Sequence, residues 1–237
     1  MAAVEVKNLV KHYGSTEAVK GISFTVNEGE IFGLIGPNGA GKTTALRIIS
    51  TLLQITSGSI TIMEYDVKKK PEEIRKLISY LPEDAGAYKN LTGRAYLKFI
   101  ASFFETKKID NMVENGITIA DLGDRIDDKV DTYSKGMKRR LLVGRALMIN
   151  PKLAILDEPT SGLDVINAQE IRKIVKNTAK TGTAVLLSSH NMLEVEYLCD
   201  RIALIADGII VEKGRPKTLM EKYNANNIEE VFVKVVP

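Results

Sequence analysis

Three glycines, a lysine and two threonines fall together in the stretch Gly36, Pro37, Asn38, Gly39, Ala40, Gly41, Lys42, Thr43, Thr44. Glycine reaches positive φ without penalty and has no Cβ to keep a ligand at a distance, so successive backbone N–H groups in such a turn can converge on one anion. Lys42 adds a positive charge where the β- and γ-phosphates of a nucleotide would lie, and Thr43 places a hydroxyl where Mg²⁺ would sit beside them. The flanks suit that chemistry. Glu30 to Ile35 reads as a buried strand entering the turn, and Ala45 to Ser50 as the helix leaving it, with its positive dipole end aimed at the anion.

Two acids and a histidine extend phosphate binding towards hydrolysis. Asp157 and Glu158 close the apolar run Leu153 to Leu156, so both carboxylates leave the C-terminal end of a central strand, the edge at which open α/β sheets hold ligands. One can hold Mg²⁺, directly or through water, while the adjacent one polarises the attacking water. His190 ends a second strand-like run, Thr183 to Ser189, which brings it to the same edge. Its imidazole can donate a proton to a terminal phosphate oxygen or accept one from the water. His12 has no comparable setting. Ser134, Lys135 and Gly136 offer a hydroxyl, a positive charge and close backbone approach at the head of an amphipathic run to Met148, an arrangement that suits an anion and serves equally as a helix cap.

In this order the motifs resemble those of the nucleotide-binding subunit of ATP-binding cassette (ABC) transporters, and the resemblance spans nearly the whole chain. It implies ATP as ligand with Mg²⁺, Gly36 to Thr44 as the Walker A loop, Asp157 as the Walker B aspartate and Glu158 as the catalytic glutamate. It further implies His190 as the switch histidine, Ser161 to Asp164 as the D-loop, and Tyr13 as the aromatic residue stacked on adenine. The segment Tyr133 to Met137 resembles the family signature Leu-Ser-Gly-Gly-Gln, of which the serine and the second glycine remain. Glu83 stands where the family places glutamine; it keeps an oxygen for Mg²⁺ or water, loses an amide donor and gains charge. Together with Leu81 to Asp84 and Leu91 to Arg94, the signature variant is similar to the exporter-type branch, whose membrane halves are separate chains. The resemblance therefore implies an ATPase subunit at the cytoplasmic face of the cell membrane. It would be peripheral through separate transmembrane permease subunits and would pair with a second copy of itself or a homologous ATPase subunit. A soluble family member acting on nucleic acid or ribosomes would share these motifs, but the coiled-coil insertions, zinc cysteines or double cassettes usual there are not in this sequence. A non-hydrolysing assembly module would not need Glu158 and His190.

Regular elements must hold these residues in place. Val4 to Leu9 and Ile22 to Val26 alternate like an antiparallel layer, and Ser59 to Met63 continues the strand pattern before a helix near Pro71 to Leu77. From Asp84 to Met148 helical patterns take over, at Ala95 to Phe104, Lys107 to Asn115 and Ser134 to Met148. Strands return at Leu153 to Leu156 and Ala184 to Ser188. Arg201 to Ala206 then meets Gly208 to Glu212 across Asp207-Gly208, a hairpin signal. A short helix after Pro216 and a strand-like Val231 to Val235 follow. The expected fold class is α/β, a P-loop NTPase core of mostly parallel sheet with an antiparallel β layer and an inserted helical subdomain. Residues 1–220 form the ATPase domain with the insert at 84–148, and 221–237 form a C-terminal tail. If the insert projects away from its own nucleotide, Ser134 and Gly136 can reach a terminal phosphate only on a second copy.

Composition sets outer limits. A chain of 237 residues with 44% hydrophobic content can bury a large core. A net charge of +3 is too small to argue for nucleic acid, none of which is expected as a partner, and Lys68 to Lys70, Lys107-Lys108 and Lys138-Arg139-Arg140 read as solvated stretches. The single cysteine, Cys199, excludes an internal disulfide or a cysteine-based metal cluster, predicts an intracellular setting and reads as a packed helix residue. No basic and apolar leader opens the sequence, and no apolar run approaches the ~20 residues that cross a bilayer, so membrane attachment is expected to come through another chain.

Overall fold

Strands that are apolar at every position have two faces to bury, and the parallel sheet at the centre of this protein buries both. The computed structural model describes residues 1–104 and 108–236. Its first strands are β1 (Ala2–Tyr13), β2 (Thr16–Asn27) and β3 (Ile31–Ile35), followed by α1 (Lys42–Ile49), β4 (Ser57–Ile62), β5 (Tyr65–Asp66), α2 (Pro71–Arg75) and β6 (Ile78–Leu81). Three helices come next, α3 (Gly93–Ala101), α4 (Ile109–Ala120) and α5 (Lys135–Leu147). The chain then returns to the sheet with β7 (Leu153–Asp157), α6 (Val165–Lys180), β8 (Ala184–Ser189), α7 (Met192–Leu198), β9 (Arg201–Ala206) and β10 (Ile209–Gly214), and ends in α8 (Pro216–Tyr223) and α9 (Ile228–Val235).

The large sheet has the order β10-β9-β3-β8-β7-β6, parallel except for β10. Along β3, β7 and β8 successive side chains alternate between its faces, as the period of a strand requires. Phe32, Leu34, Leu153, Ile155 and Leu186 meet α1 and the antiparallel sheet, whereas Ile31, Ile35, Ala154, Leu156 and Leu187 meet helices on the other side. The antiparallel sheet, β2-β1-β4-β5, pairs Val4 with both Val26 and Ile62. Its alternating pattern follows from having one face on the core and one in solvent. Helices α4 and α5 approach closely through glycines, since a Cβ on Gly144 would lie 2.6 Å from the Gly116 carbonyl oxygen.

The expected strand, helix and hairpin positions are found with shifted ends, and Asp207 and Gly208 both take positive φ (45° and 81°), the mirror-type turn that matches strand twist. The helix expected from Lys107 runs from Ile109 to Ala120, and Lys107 itself lies outside the described residues. One expected strand is overturned: Val231–Val235 is helical, not strand-like. Its β-branched residues hid a helical period in which Ile228 and Val231 are buried three residues apart, and the Asn227 side chain caps the first turn by accepting from Glu230 N at 2.9 Å. Strands β5 and β6 and helix α6 have no counterpart among the expected elements.

A polar cluster fastens α8 to β10. Burial pushes the Glu212 carboxyl up, but hydrogen bonds from Lys222, Tyr223 and the Lys213 amide outweigh it and hold the group down at about 2. A depressed carboxyl contributes stability that is fully present above the ordinary glutamate range near 4.5 and is lost as pH falls through about 2. Glu212→Gln is therefore expected to lower the melting temperature at pH 7 and to flatten the fall in stability between pH 4.5 and about 2, as measured by thermal melts across that range. An unchanged acid limb would refute the assignment.

Candidate active site

The turn between β3 and α1 is shaped by backbone contact. A Cβ on Gly36 would lie 2.0 Å from the Ile205 carbonyl oxygen, and one on Gly41, at φ 99°, would lie 2.5 Å from the Ala18 carbonyl oxygen. Neither position can accept a side chain without moving β9 or β2. The tip of the β9–β10 hairpin holds the same loop, with Gly208 N donating to Ala40 O at 3.2 Å and Lys20 N donating to Gly208 O at 2.8 Å. Asn38, Gly39, Lys42, Thr43 and Thr44 line a cleft of about 160 Å³, whose wall is completed by Glu83 and Glu158.

Just past the end of β7, Glu158 lines this cleft, while Asp157 beside it reaches Thr43 and His190, past the end of β8, reaches Glu158 from a neighbouring cleft. Lys42 Nζ donates to Gly36 O (2.8 Å) and Pro37 O (3.1 Å) and lies 3.4 Å from Glu158 Oε1. On its other side, Glu158 Oε2 is 2.9 Å from His190 Nδ1. A carboxylate only accepts, so Nδ1 carries the proton and, in the neutral ring, Nε2 is left as an acceptor. Glu158 also borders a second cleft, of about 170 Å³, shared with Ser161, Arg172 and His190. Asp157 is buried and accepts from Thr43 Oγ1 (3.2 Å), Ser188 Oγ (2.5 Å) and Tyr80 OH (3.4 Å). Burial first, then the Asp157 charge, pushes the Tyr80 hydroxyl up to about 12 against the pull of Arg47, so it stays a donor at neutral pH. These oxygens form a hard donor set: Thr43 and Asp157 suit Mg²⁺, which takes one or two protein oxygens together with phosphate and water.

Four other anticipated residues, Tyr13, Ser134, Lys135 and Gly136, do not line the phosphate cleft. Tyr13 is exposed at the end of β1, its ring 5.1 Å from Lys11 Nζ. Ser134 caps α5, accepting from Met137 N at 3.2 Å. Lys135 and Gly136 pack on their own chain's 161–167 segment: a Cβ on Gly162 would meet Lys135 Nζ at 2.1 Å and one on Gly136 would meet Asn167 Oδ1 at 2.0 Å. Among the described residues, none of these three borders the phosphate cleft. Glu83 Oε1 accepts from Ser161 Oγ at 3.1 Å.

Arg139 corrects the expectation of a solvated basic stretch. It is buried in α5, where a guanidinium was not anticipated between the apolar positions of the helix. Burial draws its pKa down while Glu83, Asp157 and Glu158 push it back up. Ser188 and Tyr80 are further partners without a signal in the sequence, one a serine inside an apolar strand run and the other a tyrosine in a stretch that does not read as a strand.

A phosphate loop at one strand end, with paired acids and a histidine converging on it from two neighbouring strands, defines a phosphate-loop nucleoside triphosphatase. The ABC transporter family profile matches residues 19–161. The chain is 38% identical over 235 residues to the linearmycin resistance ATP-binding protein LnrL of Bacillus subtilis (strain 168), covering 97% of this chain and 75% of that one. It is 35% identical over 232 residues to the Nod factor export ATP-binding protein I of Rhizobium meliloti, covering 97% and 69%. A solved ATP-binding subunit of an ABC transporter superposes with a TM-score of 0.86 at 27% identity, over 98% of this chain and 99% of that one. The protein belongs to the ABC transporter family. It is an ATP-binding and ATP-hydrolysing subunit of that family, and among the described residues no helix is long and apolar enough to cross a membrane.

Ser188 Oγ donates to Asp157 and accepts from the buried Glu158 N–H at 3.0 Å. Ser188→Ala leaves that amide without its partner, and the expected cost is about 1–3 kcal/mol, read as a lower urea midpoint at unchanged slope. Parental stability would contradict the bridging role.

Proposed function

We propose that this chain powers an exporter-type ABC transporter, with Glu158 as the base that takes the proton of the attacking water. The observation that carries the reading is the Glu158 carboxylate itself, 3.4 Å from Lys42 Nζ and 2.9 Å from His190 Nδ1 beside the phosphate loop. The backbone of Gly36, Pro37, Asn38, Gly39, Ala40 and Gly41 cradles the phosphates, and Lys42 faces the charge that grows on the terminal phosphoryl group. Thr43 and Asp157 would hold Mg²⁺, with Glu83 as a further oxygen, and the ion would supply charge neutralisation at the phosphates. His190, with Nδ1 engaged by Glu158, presents Nε2 as an acceptor that orients the attacking water. Tyr13 stacks on the adenine.

Ser134, Lys135 and Gly136 act on the nucleotide of a second copy or a homologous ATPase subunit, so that ATP binding closes a dimer and hydrolysis reopens it. Their position outside the phosphate cleft of their own chain supports this. The helices between residues 84 and 148 carry that movement to separate transmembrane permease subunits, which keep the protein at the cytoplasmic face of the membrane. Relatives named for linearmycin resistance and Nod factor export favour outward transport over action on nucleic acid.

Two experiments test the reading. Lys42→Ala is expected to weaken ATP binding by about 10- to 100-fold, the loss of charged hydrogen bonds, whereas Glu158→Gln keeps binding and loses turnover by about 10²- to 10⁴-fold. Equilibrium binding and phosphate release decide it, and parental turnover by Glu158→Gln would remove the base assignment. For the dimer, cysteines at Asn38 and Lys135 in a Cys199→Ser, Glu158→Gln background are expected to cross-link between chains only with ATP. Linkage within one chain, or linkage indifferent to nucleotide across a range of protein concentrations, would rule out the shared site.

A further inference from the structure

Arg139 places all five N–H groups of a guanidinium on main-chain carbonyl oxygens. Nε donates to Pro159 O (2.7 Å), and Nη2 donates to Asp157 O (3.0 Å) and Glu158 O (2.7 Å). Nη1 donates to Glu83 O (3.2 Å) and Pro82 O (3.5 Å). The acceptors lie on two segments, the end of β7 that carries Asp157 and Glu158, and the turn after β6 that carries Glu83. Three successive carbonyls, 157 to 159, converge on one cation. Such convergence requires an unusual backbone, and Glu158 supplies it with a φ of 48°, a left-handed conformation that residues with a Cβ seldom adopt. Ser188 Oγ holds the amide of the same residue. The orientation of the Glu158 side chain towards Lys42 and His190 is thereby set through its main chain from both sides.

Arg139 also lies on α5, five residues beyond its cap at Ser134, so the guanidinium joins the helix that opens with the signature segment to both active-site segments. None of its partners belongs to the loop Gly36 to Thr44, which grips the phosphates.

We infer that Arg139 is a positioning residue for hydrolysis: its guanidinium fixes the backbone of Glu158 and ties it to the Glu83 turn and to α5, so that the three segments move as one. The inference rests on the reading of Glu158 as base. A lysine at this position cannot reproduce it, because an ammonium has three donors on one atom and no planar fork to span two segments.

The test compares Arg139→Lys, Arg139→Gln and Glu158→Gln with the parent by steady-state phosphate release, equilibrium ATP binding and thermal melting. Both Arg139 variants are expected to lose at least about tenfold in kcat, or about 1.4 kcal/mol, with KM and ATP affinity close to parental and a cooperative melt retained. A merely structural residue would instead give parental kcat per folded molecule, or lose binding and turnover in parallel. Parental kcat in either variant, loss of ATP affinity in step with kcat, or no cooperative melt in both variants overturns the inference. If Glu158→Gln alone turns over at the parental rate, the base assignment fails. If Glu158→Gln is inactive and Arg139→Lys is parental, only the positioning role fails.

Discussion

Glu158 and Lys42 are each about one-twentieth exposed, and two opposite charges withdrawn from water are tolerated only when each meets the other and finds further partners. Much of the surrounding structure serves that requirement. Lys42 shares itself between loop carbonyls and the carboxylate, and His190 covers the second carboxylate oxygen. The left-handed backbone of Glu158 costs on the order of 1–3 kcal/mol and persists only where its surroundings leave no alternative. Ser188 holds the Glu158 amide and Arg139 its carbonyl, so a buried carboxylate just past the end of one strand depends on a neighbouring strand and on a helix from elsewhere in the chain.

The central sheet follows from the same need. Asp157, Glu158, Ser189 and His190 come to one edge because β7 and β8 are parallel neighbours, with Asp157 opposite Ser188. A parallel strand pair needs a crossover element between its members, and α6 fills that role with a buried stripe of Ala168, Ile171, Val175 and Ala179. The residue that begins this helix, Asp164, accepts from Asn167 N at 2.9 Å and ends the loop that also holds Ser161 against Glu83.

What could be read from the sequence was whatever depends on residue type at fixed local spacing. Gly36 to Thr44, the Asp157-Glu158 pair after four apolar residues, and the Asp207-Gly208 hairpin each announce their geometry within a few positions. Contacts between segments far apart in the chain could not be read so directly. Ser188 looks like a tolerated polar residue in a strand, and Tyr80 stands in a stretch without a strand pattern, until the fold brings both to Asp157. Arg139, in a run of three basic residues, looks solvated until the ends of β6 and β7 supply five carbonyls. The final helix was misread because Val231, Val233 and Val235 alternate, and alternation suits a strand. The buried stripe three residues apart, and the Asn227 cap, decide in favour of a helix.

The β9–β10 turn has a consequence of another kind. A two-residue hairpin at a surface is ordinarily a permissive place for an inserted peptide, a label or a new chain terminus, because nothing rests on its tip. Here the Gly208 backbone touches Ala40 in the phosphate loop through its amide and Lys20 in β2 through its carbonyl. Tagging, nicking or permuting the chain at this turn would disturb the loop Gly36 to Thr44 as directly as a change within that loop itself.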